Sequence, residues 1–312
     1  MTSETLSRSF LSRCLIGGQI ALSLVLLVAA SLFGRTLRNL ESIDLGFRRD
    51  NIAILQIDPA SVGYSGQRLR IFYDQLLDHT RTLPGVRSAA VAAMTPISNT
   101  LRSLAVGDGE GKMLLSMVYN SVSSGYFSAM GIPLLAGRDF RREDEPVVTP
   151  PAWTHKEDAS RVCILGRSLA RKQFGTVNVV GRRFCFPGDE CSPGKGIEVI
   201  GVAQDIHHGD ITKPDPDGTI YEPSWSNGAQ ARALVVRFDG SAAPVTAAIR
   251  RALQDQDPNV PLMRVRLMEE YINTRLARER LIAYLSSFFG VLALGLAALG
   301  LSGVLASAVA QR

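Results

Sequence analysis

The longest apolar run lies at the end of the chain. Leu281 to Ala310 reads LIAYLSSFFGVLALGLAALGLSGVLASAVA and holds no charged residue. As a helix it would reach about 45 Å, against a bilayer core about 30 Å thick. It predicts a membrane span rather than a core helix, because core helices seldom run this far without a charge. Leu15 to Phe33, LIGGQIALSLVLLVAASLF, is a second uncharged run near the minimum spanning length. A signal peptide competes here, and the AAS at Ala29 to Ser31 imitates a cleavage site. The run nevertheless starts late and is long, which favours an uncleaved span.

The long polar stretch between the two runs then sits in water on one side of the membrane, with both ends on the other. Arg8 and Arg13 stand against Arg35, Arg38, Arg275, Arg278 and Arg280. Taken alone, that count puts the middle in the cytoplasm, but large domains cross largely regardless of charge.

Within the middle, Asn51 to Asp58 and Val86 to Ala93 alternate as strands. Ser65 to Thr82 recurs at helical spacing through Leu69, Phe72, Tyr73, Leu76 and Leu77, with Ser65 as the N-cap candidate. Together they predict a strand–helix–strand unit. Further strands are expected at Met113–Ser121, Val162–Leu165, Val180–Phe184, Ile197–Val202 and Arg232–Phe238. Helices are expected at Ser124–Met130, Ser168–Phe174 and Ser241–Gln254. Gly137–Phe140 reads as a turn, and Glu145–Lys156 and Lys213–Gly218 read as loops. Leu267, Met268, Tyr271, Ile272 and Leu276 form a helical stripe, and no Gly or Pro separates it from the last apolar run. One stiff helix could therefore pass from the domain into the membrane.

The formal charge is +5, much of it Arg beside the two apolar runs. No basic stripe with interleaved aromatics suggests nucleic acid. Of four cysteines, Cys14 and Cys163 read as small hydrophobes. Cys185 and Cys191 flank the turn CFPGDEC, so a disulfide outside the cytoplasm and two free thiols are both open. Zinc is disfavoured, as no second Cys or His pair has matching spacing.

Catalytic patterns are missing from the sequence. There is no GxxxxGK[ST], no GxSxG and no HExxH. The one dense polar cluster, Asp205-Ile-His-His-Gly-Asp210, reads as a polar loop. No catalytic, cofactor or metal residue is assigned, and the chain is not expected to be an enzyme.

Several separated motifs occur in a familiar order: QIALSLVLLVAASLFGRTLRNL from Gln19, LGFRRDNI from Leu45, FYDQLLDHTRTLPGVRSAAVAAMTPIS from Phe72, SSGYFSAMGIPLLAGRDF from Ser123, IGVAQDIHHGDI from Ile200, and Asp257 to the end. On these the chain resembles permeases of the MacB/FtsX-like class of ABC transporters, of the acidobacterial duplicated orphan type. The resemblance covers nearly the whole chain.

The resemblance implies an α+β fold, a two-lobed mixed α/β periplasmic domain between two transmembrane helices. It implies a cytoplasmic lead at 1–14, a first span at 15–40, a MacB-like periplasmic core domain at 41–265, and a stalk helix continuing into the second span at 266–312. The setting would be the inner membrane, with both termini cytoplasmic. The expected function is mechanotransmission for export or efflux, driven by a separate ABC ATPase subunit that binds the ATP. Further partners implied are a second permease half or a homodimer, and a periplasmic adaptor. The alternative is an extracytoplasmic scaffold that activates a cell-wall enzyme. Family members continue beyond the equivalent of Gln311-Arg312 through further spans, so a fragment is expected, and the Cys185–Cys191 insert is longer than usual.

Overall fold

The computed structural model describes residues 44–96, 103–107, 113–145, 162–185, 196–208, 218–225 and 233–310, with isolated residues between 17 and 38. The chain divides into two compact units. One is Asp44–Ile272 and the other is Met1–Ile43 with Asn273–Arg312.

The first unit is a mixed α/β body built on one sheet. Its strands among the described residues are β1 (Ile52–Ile57), β2 (Val86–Ala92), β3 (Ser103–Gly107), β4 (Met113–Val122), β5 (Leu134–Gly137), β6 (Val162–Gly166), β7 (Arg183–Phe184), β8 (Ile197–Ala203), β9 (Thr219–Pro223), β10 (Ala233–Phe238) and β11 (Leu262–Leu267). The spatial order is β11-β1-β10-β2-β4-β9-β6-β8-β5, with β3 beside β4 and β7 beside β8. The pairs β4–β9 and β6–β8 are parallel.

The predicted strand–helix–strand unit is present with one strand inserted. β1 and β2 each pair antiparallel with β10, which lies between them. Helix α1 (Gly66–Thr82) connects β1 to β2 and buries Leu69, Phe72, Tyr73, Leu76 and Leu77, the predicted stripe. Ser65 takes the extended cap conformation, but its side chain makes no cap hydrogen bond. Helix α2 is Tyr126–Met130, α3 is Arg167–Phe174, and α4 is Ala242–Gln256.

Among the described residues, two apolar clusters lie along this single sheet, and further buried side chains such as Ile54, Val122, Phe127 and Tyr221 belong to neither. One joins β1, β2 and β10 to α1 and α4 through residues such as Leu55, Phe72, Leu76, Val236 and Ile249. The other joins β4, β6, β8 and β9 to α3 through Tyr119, Cys163, Leu165, Leu169 and Val199. Burying each such side chain is worth about 1.5–3 kcal/mol.

Four segments differ from the sequence expectation. Leu134–Gly137, whose last residue begins the expected turn Gly137–Phe140, pairs as β5 with β8. Thr219–Pro223 is a fully buried strand directly after the expected loop. Leu267 ends β11 and does not begin a helix, because Leu262–Leu267 pairs with β1. Of the expected strand Val180–Phe184, only Arg183–Phe184 pairs, and Val180 lies outside it.

Helix α5 (Met268–Ala310) is 43 residues long. Met268, Tyr271 and Ile272 are buried in the first unit. Farther along, Leu281, Tyr284, Phe288, Val291 and Leu299 are exposed. Among the described residues no helix is long and apolar enough to cross a membrane. The uncharged stretch of α5 includes side chains outside that description, as does the run from Leu15, so the two spans rest on the sequence alone.

Candidate functional site

The two clusters meet at β2 and β4, and the ladder there is almost absent. These strands pair at a single position, Ala92 with Val122. Two backbone bonds flank it, from Ser123 N–H to Val91 O and from Ala93 N–H to Ser121 O, both 2.9 Å. Side chains supply the rest. Val91 N–H donates to Ser123 Oγ at 2.9 Å. Met94 N–H donates to Asn120 Oδ1 at 3.0 Å, and Asn120 Nδ2 donates to Met94 O at 3.1 Å. Asn120 and Ser123 are both buried. A carboxamide with one donor and one acceptor engaged copies a backbone amide, which lets two diverging strands stay satisfied.

Helix α1 reaches across this seam with its polar face. Arg70, Asp74, Asp78 and Arg81 recur at helical spacing on one side. Arg70 stands 3.6 Å from Glu145, and Arg142 stands 3.4 Å from Asp74 and 3.3 Å from Asp78. Arg81 donates to Ala89 O at 3.1 Å and to Ser124 O at 2.8 Å. Arg142 belongs to a 3-10 turn, Arg142–Asp144, that follows β5. Its side chain is 61% exposed, so its pairs are worth only about 0–1 kcal/mol each. The Arg70–Glu145 pair differs, with both side chains largely buried.

Glu145 also accepts a hydrogen bond from Ser224 Oγ at 3.1 Å. Burial pushes its carboxyl up to about 7, against the pull of Ser224 and Arg70. The next residue, Trp225, has φ 75, a strained value for a bulky side chain. Its ring lies 5.8 Å from that of Tyr73. Trp225 follows β9 yet packs in the α1 cluster, so it crosses the seam. On β9 itself, Glu222 is buried and accepts a hydrogen bond from Tyr119 of β4. Burial pushes its carboxyl up to about 7 as well.

The polar cluster from Asp205 is held as structure. Its carboxylate accepts Ser168 N–H at 2.9 Å and Ser168 Oγ at 2.8 Å, capping α3 from outside. Arg167 stands 3.4 Å from it. His207 N–H donates to Leu45 O at 3.2 Å, and His208 is buried. Asp210 lies outside the described residues. Among the described residues no group of His, Cys, Asp and Glu could hold a metal ion.

Cys163 is free and buried, and burial pushes its thiol well up. Cys185 is engaged in a disulfide. Cys191 lies outside the described residues, so the pairing of these two remains an expectation.

All of the seam residues fall inside a stretch, 19–254, that matches the MacB-like periplasmic core domain. The chain belongs to that family. Solved structures similar to this MacB-like chain include the periplasmic region of MacB from Actinobacillus actinomycetemcomitans, at 15% identity and TM-score 0.44, covering 73% of this chain and 94% of that one. Another is the extracellular domain of the noncanonic ABC-type transporter YknZ from Gram-positive bacteria, at 17% and 0.40, covering 68% and 99%. A third is a domain of a permease protein from Porphyromonas gingivalis, at 16% and 0.35, covering 67% and 83%. No curated protein matches the chain. The family assignment rests on the sequence match.

The sequence alone did not single out Asn120, Ser123, Ser224 or Trp225. The available signal was the polar interruption NSVSS after an apolar strand, and EPSW after another.

Proposed function

We propose that this chain is a permease subunit of an ABC transporter of the mechanotransmission type. A partner ATPase binds and hydrolyses the nucleotide, and the MacB-like domain moves on the far side of the membrane for export or efflux. The observation that carries this reading is the match of residues 19–254 to the MacB-like periplasmic core domain. It is supported by the two uncharged runs that bracket the domain, Leu15–Phe33 and Leu281–Ala310. They serve as two spans, with the middle periplasmic and both ends cytoplasmic. It is supported further by the exposed apolar side chains of α5, since Tyr284, Phe288 and Val291 need a lipid or helical neighbour. A disulfide between Cys185 and Cys191 suits that compartment.

The test has two arms. Single reporter cysteines at Ser61 and Arg312 are labelled with an impermeant reagent in intact cells. Labelling at Ser61 and none at Arg312 is expected, and equal labelling overturns the topology. The full-length gene product is then purified with its membrane. A co-purifying ATPase whose hydrolysis drives efflux is expected, and a cell-wall hydrolase in its place overturns the transport reading.

A further inference from the structure

The chain enters the first unit through a short segment, residues 44–48, that is tied down on both sides. Leu45 and Phe47 are buried. Leu45 O accepts His207 N–H at 3.2 Å, and Arg48 N–H donates to Met130 O at 3.0 Å. Asp44 Oδ1 accepts Gly46 N–H at 2.9 Å, closing a local turn. Gly46 has φ +76, and a Cβ there would lie 1.9 Å from the Asp205 carbonyl oxygen. Only glycine permits this approach.

Between residue 45 and Asn51 the chain makes bonds to both bodies. Residues 205–207 leave β8, and the Asp205 carboxylate caps α3, so this anchor is fixed to the cluster around Cys163. On the other side, Met130 ends α2, which lies against β2 and β10 and also meets Tyr221 of β9 through Phe127, so α2 itself straddles the seam. Three residues past the segment, Asn51 O accepts Phe238 N–H from β10 at 3.1 Å. This bond to Phe238 fixes the chain just past the segment to the cluster around α1. In strand order, β8 lies beyond β4, β9 and β6 from β2. The segment therefore spans the seam without using it.

We infer that residues 44–48 form a strap that holds the two halves of the sheet together across the weak β2–β4 seam, and that its release loosens the seam. The strap is the first part of the unit reached from residue 43, so a pull from that side acts on it before it acts on the sheet. The inference concerns the domain's own mechanics and does not rest on the transporter reading.

The test is native-state hydrogen exchange on the full chain in detergent, with Gly46→Ala and the milder Leu45→Ala. Gly46→Ala places a Cβ against backbone that cannot turn aside. Leu45→Ala removes buried apolar contact and keeps the backbone path. The His207 and Arg48 amides report the strap. The Ala93 and Ser123 amides report the seam. Both pairs are expected to exchange about tenfold faster or more in Gly46→Ala, and in the same direction but less in Leu45→Ala, while amides within β1 and β10 keep parental rates. If Gly46→Ala does not fold, Leu45→Ala decides alone. Parental exchange at Ala93 and Ser123 in every folded variant overturns the proposal. The experiment uses neither ATPase nor cargo, so its failure leaves the transporter reading standing, and the reverse holds too.

Discussion

Replacing Glu222 by Gln is expected to remove a large part of the domain's pH dependence. Glu222 is buried at the end of the Cys163 cluster, and burial raises its carboxyl from the ordinary 4.5 to about 7. The Tyr119 hydroxyl that donates to it opposes the rise without cancelling it. The folded chain therefore prefers the protonated acid, and the unfolded chain does not. The contribution to stability is complete below pH 4.5, falls as pH rises toward 7, and levels off above. At about 1.4 kcal/mol per pH unit, the loss amounts to roughly 3 kcal/mol. Glu145 acts in the same sense over the same window, because burial raises it to about 7 also. The parent protein should lose stability between pH 5 and pH 8, and Glu222→Gln should lose roughly 3 kcal/mol less. Gln keeps an acceptor for Tyr119, so the comparison isolates the charge. Urea unfolding of the full chain in detergent at both pH values measures the difference. Equal pH slopes in the two proteins would refute the reasoning.

Three further outcomes follow from the seam and the stalk. Ser123→Ala removes the acceptor of the buried Val91 N–H, which should cost about 1–3 kcal/mol in urea unfolding, with Ser123→Thr restoring much of it. Trp225→Ala should cost about 3–5 kcal/mol, and Trp225→Gly should be no worse, since φ 75 strains alanine and not glycine; a clearly weaker glycine variant would refute the strain argument. Ala277→Gly and Ala283→Gly each weaken helix α5 by about 1 kcal/mol and, on the transporter reading, should lower ATP-driven transport, so unchanged transport would count against a stiff stalk.

How much of this was legible in the sequence depended on periodicity. β1, α1, β2, β10 and α4 carry clean periods, and the structure places them within a residue or two of expectation. β9 was hidden because TIYEP follows a proline–aspartate stretch and is buried on both faces, so it has no alternation to read. β11 was hidden because LMRVRL places Arg264 and Arg266 on an outer strand, where charges are tolerated. The seam was illegible for a different reason. Asn120 and Ser123 are polar residues inside a strand, and nothing local says that they replace a missing ladder. The stripe Arg70, Asp74, Asp78 and Arg81 is visible as a polar helix face, but its partners, Arg142 and Glu145, are set by the tertiary fold alone.

Several departures from ordinary packing rules gather in one part of the unit. The side-chain-made ladder at Asn120 and Ser123, the strained Trp225, and the buried acids Glu145 and Glu222 all lie along or beside one line between two apolar clusters. Each cluster is held by many side chains worth about 1.5–3 kcal/mol apiece. The seam has one ladder pair, a few backbone and side-chain bonds worth about 1 kcal/mol each, exposed ion pairs worth less, the buried Arg70–Glu145 pair and the Phe127–Tyr221 ring contact. Low local stability is what a moving part requires, and natural proteins concentrate broken rules at such places. A load applied to this sheet should therefore open it between β2 and β4 while β1–β10 and β6–β8 stay closed. Trp225, the strap at residues 44–48, the Phe127–Tyr221 ring contact and the buried Arg70–Glu145 pair are among the features that resist, because each crosses the line from one body to the other.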